Sequence, residues 1–258
     1  MVKVYDLFGK HTTDIELPGV FLSAYRPEII RRAFQAYQSW KRQAYGADPL
    51  AGKRTSAHYH GRRRQRWTMM GREMSRMARI HGKVGYLAWT ARFVPQAVKG
   101  RKAHPPKAEK IWAQKINKNE YLAALKSAIA SSIMAPTRHK INESPIIFVN
   151  EFESIKKAKD VKSTLMKLIP NEIKRCSVKN VRSGKGKMRG RKNKRKTGPL
   201  IITSEGSALL KAARNLPGFN VVSANDIDIG LLAPGGVGGR CIISTKAALK
   251  EIEKRFGE

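Results

Sequence analysis

A chain of 258 residues with 52 Lys and Arg against 19 Asp and Glu carries a formal charge of +33, and 41% of its residues are hydrophobic. That hydrophobic fraction excludes a wholly disordered tail, the length suits one sizeable α/β core, and the charge calls for an acidic partner. No apolar run approaches the roughly 20 residues that span a bilayer, the N-terminus lacks a signal-peptide core, and two isolated cysteines, Cys176 and Cys241, argue for a reducing cytoplasm rather than a disulfide framework.

The first strand is expected at Val2 to Tyr5. A helix follows from Pro27 to about Ala44, with Ile30, Ala33, Phe34, Tyr37 and Trp40 on one face and Pro27 in a first-turn position that suits its fixed φ. Residues 51 to 104 then hold 14 Lys and Arg against one acid, Glu73, and their branched aliphatics are only Ile80, Val84, Leu87, Val94 and Val98. So long a loop inside a compact domain needs a special reason, and an arm that folds against RNA supplies one. Within it Met69, Met70, Met74, Met77 and Ile80 have helical spacing, which predicts a short helix over Thr68 to Ile80 with Arg72, Arg76 and Arg79 along another side.

A second long helix starts near Asn119 as N-cap, runs Tyr121, Leu122, Leu125, Ile129 and Ile133 along one stripe, and stops before Pro136. A strand at Ile146 to Val149 leads to a helix over Ser154 to Leu168, with Ile155, Ala158, Val161, Leu165 and Leu168 placed ahead of Pro170. Residues 174 to 196 carry 12 Lys and Arg and no acid. Beyond them come a strand at Leu200 to Thr203, a helix over Glu205 to Leu216 ended by Pro217 and Gly218, strands at Asn220 to Ser223 and Cys241 to Ser244, and a helix over Thr245 to Phe256. This alternation predicts an α/β fold: an open, mostly parallel sheet in a three-layer α/β/α sandwich with a long basic extended loop inserted. The expected organisation is a globular domain at residues 1–45 and 110–258, an arm at 46–109, and a second basic loop at 174–198.

The two basic stretches supply 25 of the +33 charges, so the remainder is an ordinary globular protein. Like charges at that density repel until a polyanion neutralises them, and nucleic acid is the natural polyanion. Tyr59, Trp67, Tyr86, Trp89 and Phe93 interleave with the arginines, where they can stack on unpaired bases or anchor the arm to its own domain. Nucleotide motifs do not fit. The run Gly235, Gly236, Val237, Gly238, Gly239 precedes a strand where a dinucleotide fingerprint follows one, and SGKGKMRGR, from Ser183 to Arg191, lacks both the leading Gly and the trailing Ser or Thr of a phosphate loop. His58 and His60 invite a metal reading, but they lie in an Arg-rich run without nearby Cys, Asp or Glu, and zinc needs about four donors, so no metal is expected. Asp226 and Asp228 read as capping residues of a short helix from Asn225, and no motif pairs a nucleophile with a base.

Six segments together resemble a known family: AGKRTSAHYHGRRRQRW (residues 51–67), GREMSRMARIHGK (71–83), FVPQAVKGRKAHPPK (93–107), KINKNEYLAALKSAIA (115–130), VRSGKGKMRGRK (181–192) and SANDIDIGLLAPGG (223–236). In order and spacing they resemble the universal large-ribosomal-subunit protein number four in its archaeal form, over the whole chain. The resemblance implies an α/β domain on the outer face of the large subunit, with a loop of about residues 45 to 110 threading into ribosomal RNA. Its tip would lie at a narrow part of the nascent-peptide exit tunnel, near tunnel protein number twenty-two. It also implies a cytoplasmic location in the ribosome, neighbouring ribosomal proteins as partners, and no cofactor, metal, catalytic residue or small-molecule substrate. Carried onto this chain, the RNA-contacting residues are Arg54, Arg62, Arg63, Arg64, Arg66, Trp67, Arg72, Arg76, Arg79, Lys83, Arg92, Lys99, Arg101 and Lys102, with a second set at Lys185, Lys187, Arg189, Arg191 and Lys192. The middle of the arm, HGKVGYLAWTARF, departs from the more Gly-rich tip of other branches.

Two other classes are weighed against it. An RNA-modifying enzyme on a Rossmann-like sheet needs a cofactor loop after its first strand, but DLFGKHTTD there has a single glycine. A basic architectural DNA-binding protein would show duplex-reading helices or dimer heptads, and neither is evident.

Overall fold

The computed structural model describes residues 1–81, 85–133, 139, 141 and 143–257. The chain divides into two compact units, Met1–Lys41 together with Ala113–Glu258, and Arg42–Trp112.

The larger unit runs β1 (Val2–Tyr5), β2 (His11–Ile15), α1 (Pro27–Trp40), α2 (Lys118–Ala130), β3 (Ile146–Phe148), α3 (Ala158–Leu168), α4 (Pro170–Ser177), β4 (Asn180–Val181), β5 (Asn193–Lys194), β6 (Leu200–Thr203), α5 (Leu209–Ala213), β7 (Asn220–Ser223), α6 (Ile229–Leu232), β8 (Ile242–Thr245) and α7 (Lys246–Phe256). Six strands form one sheet in the order β2-β1-β3-β8-β6-β7, parallel throughout except for the antiparallel β1–β2 edge pair. β3, β6 and β8 are buried at every residue, which is why they read as unbroken apolar runs in place of an alternation.

The pleat sends alternate residues to opposite faces. Ile147, Leu200, Ile202 and Ile242 pack with α1, α2, α6 and α7. Ile146, Phe148, Ile201 and Ile243 pack with α3, α4 and α5. The result is the expected three-layer sandwich with a core on each side of the sheet. α7 is set by its own ends: the Thr245 hydroxyl accepts the Ala248 N–H at 3.2 Å, while Lys254 and Arg255 sit in the last turn against the negative end of the helix dipole.

Several boundaries differ from the sequence expectation. β2 was not anticipated, because four of its five residues face solvent and an exposed edge strand such as HTTDI has no apolar period to reveal it. α1 ends at Trp40 rather than Ala44. α2 follows Asn117 rather than Asn119 and ends at Ala130, leaving Ile133 outside it; Pro136 lies outside the described residues. The helix expected from Ser154 starts only at Ala158, and Ser154 instead ends a 3-10 turn at Asn150–Ser154. Pro170, taken as a stop, also opens α4, where its fixed φ and missing N–H are harmless in the first turn. Only Leu209–Ala213 of the helix expected over Glu205 to Leu216 is α-helical, because Gly206 holds φ +76° and breaks the first turn.

Candidate nucleic-acid interface

The second basic stretch becomes a hairpin. β4 and β5 pair antiparallel through Asn180 with Lys194 and Val181 with Asn193, and the Arg182 N–H donates to the Lys192 carbonyl at 2.9 Å. Between the strands, a 3-10 turn at Lys185–Met188 and Gly190 at φ +74° reverse the chain. Lys185, Lys187, Arg189, Arg191 and Lys192 are all exposed, and among the described residues none has an ion-pair partner. A short, weakly paired ribbon with unneutralised cations can follow a phosphate backbone without first breaking internal contacts.

The smaller unit is irregular but folded. Its two chain ends meet where the Ala47 N–H donates to the Pro106 carbonyl at 2.9 Å. Farther along, His58 and Arg79 exchange backbone bonds of 3.2 and 3.1 Å, and Trp89 N–H donates to the Ile80 carbonyl at 2.8 Å. Glycine permits the close approach at Gly52: it holds φ +75°, and a Cβ there would lie 2.5 Å from the Arg101 nitrogen. Buried Ala57, Met69 and Ile80 provide small apolar anchors, and Trp67, His81 and Trp89 form a ring cluster with centroid separations of 5.6, 5.9 and 5.0 Å. The helix expected over Thr68 to Ile80 is absent; the segment turns repeatedly, Gly71 holds φ +76°, and the Met69 N–H donates to the His60 carbonyl. Gly disfavours a helix there, and closely spaced arginines with a single acid supply no compensating side-chain pairs.

The sequence-predicted arm residues divide into three groups. Arg62, Arg63, Arg64, Arg66, Arg72, Arg76, Lys99 and Lys102 are exposed, as is Arg54, which is held by Asp48 in an ion pair. Arg79 and Arg92 turn onto their own backbone: Arg79 donates to Trp89 and Ser75 carbonyls at 2.8 and 3.0 Å, and Arg92 to the Val98 carbonyl at 2.8 Å. Arg101 is half-buried beside Gly52, and Trp67 is half-buried against His81 and Trp89. Lys83 lies outside the described residues. Tyr59 and Tyr86 keep open faces, at 55% and 93% exposure. Arg64, Trp89, Phe93 and Lys99 hold left-handed φ values of 58°, 60°, 71° and 59°, a conformation that costs an L-residue on the order of 1 kcal/mol or more and collects at binding segments.

Two features were not read from sequence. At the base of the unit, Tyr45 stacks on Trp112 at 5.9 Å, Arg42 lies 3.7 Å over the Trp112 ring, and Lys110 lies 4.4 Å over it. Their Arg and aromatic types are the detectable signal, but 67 positions separate Tyr45 from Trp112. The second is a group of three imidazoles, His58, His60 and His81, each offering a ligand atom within 4.8 Å of the others. The expectation of no metal weighed His58 and His60 alone, and the backbone bridge from His58 to Arg79 is what brings His81 beside them. Burial holds the His81 imidazole below its ordinary pKa, and the nearby His60 acts in the same direction, so its neutral, ligating form is favoured.

The Asp226 and Asp228 reading also has a local outcome. A 3-10 turn at Ala224–Asp226 precedes α6, with Asp228 at its N-cap position and accepting from the Tyr37 hydroxyl at 3.2 Å.

Comparison with known proteins gives a consistent result. The model of the family described as "Ribosomal protein L4/L1 family" matches residues 15–255. The chain is 41% identical over 264 residues to "Large ribosomal subunit protein uL4" of Nanoarchaeum equitans, covering 98% of each chain. It is 42% identical to the protein of the same name in Methanocaldococcus jannaschii over 262 residues, with 98% of each covered. The corresponding protein of Archaeoglobus fulgidus is 41% identical over 255 residues, with 96% of each covered.

Proposed function

The chain belongs to the ribosomal protein L4/L1 family, and from that premise we propose that it is a structural protein of the large ribosomal subunit, in the cytoplasm, that binds the subunit's RNA and performs no chemistry of its own. The observation that supports this reading best is the placement of charge. Exposed cations crowd the Arg42–Trp112 unit and the β4–β5 hairpin, where the described residues supply one ion pair, Arg54 with Asp48. Such surfaces are electrostatically incomplete until phosphates neutralise them.

Affinity then comes chiefly from phosphate neutralisation and counterion release, and ten contacts correspond to a log–log salt slope of roughly −7 to −9. Phosphate contacts carry no base information, so specificity comes from RNA shape and from unpaired bases laid on open rings such as Tyr59 and Tyr86. Arg79 and Arg92 serve this surface by bracing the arm backbone. The same reading includes the arm's passage through ribosomal RNA to help line the nascent-peptide exit tunnel beside tunnel protein number twenty-two; the family resemblance supports it, as does the 71-residue length of the basic unit.

Among the described helices none is long and apolar enough to cross a membrane. The competing reading, a general polyanion binder of architectural type, is separated by measuring equilibrium binding of the full chain to large-subunit ribosomal RNA and to duplex DNA at one salt concentration. The RNA should bind at least tenfold more tightly; equal affinities would remove the ribosomal reading in favour of the architectural one.

A further inference from the structure

We propose that His58, His60 and His81 form a zinc-type metal site that staples the basic arm. One ring nitrogen of each lies within 4.8 Å of the others, and the ring centroids are separated by 4.2, 4.7 and 4.5 Å. That spacing is close enough for small side-chain adjustments to place three nitrogens about 2.0 Å from one ion.

His58 and His60 pair directly through their Nε2 atoms, and the remaining local hydrogen bonds orient the rings for ligation. The Ser56 carbonyl can only accept, so the contact of 2.9 Å from His58 Nδ1 puts the hydrogen on Nδ1 and leaves Nε2 as the nitrogen that carries a lone pair. This is the outer-shell bond that orients a metal-ligating imidazole and fixes its tautomer. His60 Nε2 meets that Nε2 directly. Both ring nitrogens of His81 are buried and lack a partner in hydrogen-bond geometry among the described residues, an arrangement that a bound ion would resolve at one of them. Trp67 and Trp89 pack on the His81 ring at 5.6 and 5.0 Å and hold its plane.

Three imidazoles suit a borderline divalent ion such as zinc rather than magnesium or calcium, which take oxygen ligands. Arg72, 4.1 Å over the Trp89 ring, adds positive charge nearby, and no described acid joins the cluster. The fourth position therefore falls to water in the free protein and suits an anionic oxygen when one is at hand. The chain gains a cross-link joining segments 58–60 and 81, with metal binding coupled to ordering of the arm. The site does not depend on ribosomal assembly.

The test uses the untagged full chain, stripped of metal. With Co2+ as the spectroscopic probe, a visible band of four-coordinate type should grow to one equivalent and be displaced by Zn2+. X-ray absorption of the zinc-loaded wild-type chain should show one shell containing three imidazole nitrogens at about 2.0 Å. His58→Ala and His81→Ala should each weaken zinc binding by more than the roughly 10- to 100-fold that loss of an outer-shell partner costs, while His104→Ala, in the same unit but outside the cluster, should not. An all-oxygen zinc shell, no stoichiometric uptake by the wild-type chain, or equal retention by the His81→Ala chain overturns the site. The absorption measurement needs no variant, so a misfolded substitution cannot hide a negative result.

Discussion

Replacing Lys185, Lys187, Arg189, Arg191 and Lys192 with Gln removes five exposed cations from a segment, residues 174 to 196, that contains no acid. Among the described residues none of the five has an ion-pair partner, so the change should not cost the larger unit any stability. Relief of like-charge repulsion should leave its melting temperature equal or slightly higher. RNA binding should respond differently. If all five neutralise phosphates, the slope of log K against log salt should become shallower by roughly 3.5 to 4.5. Between 50 and 200 mM salt, the affinity gap between wild type and variant should then narrow by roughly 100- to 500-fold. Filter binding or fluorescence anisotropy with a large-subunit ribosomal RNA fragment, run across that range, measures the slope. A change smaller than about one unit would mean that at most one of the five touches a phosphate, and the hairpin would lose its assigned role.

Other outcomes are expected in the fold itself. Gly52→Ala, which puts a methyl 2.5 Å from the Arg101 nitrogen at a φ of +75°, should separate the two arm segments and speed amide exchange across residues 47–58 and 93–106, while leaving exchange in β6 and β8 unchanged. Arg240→Lys should lower the melting temperature by several degrees, because the buried guanidinium donates to the Gly198, Pro199 and Leu231 carbonyls and the Asn220 side chain, a set one ammonium cannot reproduce; an unchanged melting point would show that the fork is dispensable. Burial keeps the His139 pKa below its ordinary value, so the folded state binds fewer protons and the contribution is present above about pH 6.5 and lost as pH falls. Melting curves from pH 7 to 5 should therefore decline less steeply in His139→Gln than in wild type. Burial pushes the Cys241 thiol up to about 12, so a thiol-reactive chromophore at pH 8 should modify it only on unfolding; rapid labelling of the native chain would contradict its placement in the core.

What the sequence reveals depends on whether a physical signal is local. β3, β6 and β8 were readable because strands buried on both faces carry continuous Ile, Leu and Val. α7 was readable because a Thr cap, an apolar stripe and terminal basic residues coincide within one turn of each end. β2 was hidden because an exposed edge strand is specified by its pairing with β1 and not by its own side chains. α4 was hidden by Pro170, which ends one helix and starts the next, and by Lys174 and Arg175, which belong both to its last turn and to the following charge run. The arm was conspicuous by charge, but its internal order was not: the Met spacing suggested a helix where glycine and dense arginine impose turns. Trp67 illustrates the limit well, since an aromatic beside arginines has the same sequence signature whether or not it also packs within its own unit, as Trp67 does on His81 and Trp89. The three-histidine cluster needed the pairing of His58 with Arg79, which no spacing rule encodes.

The central claim is most directly tested by sedimenting cell extract at moderate and then high salt, with the chain followed by immunoblot. It should travel with the large ribosomal subunit and resist the moderate wash. Recovery in the soluble fraction, or with chromosomal DNA, would contradict the account.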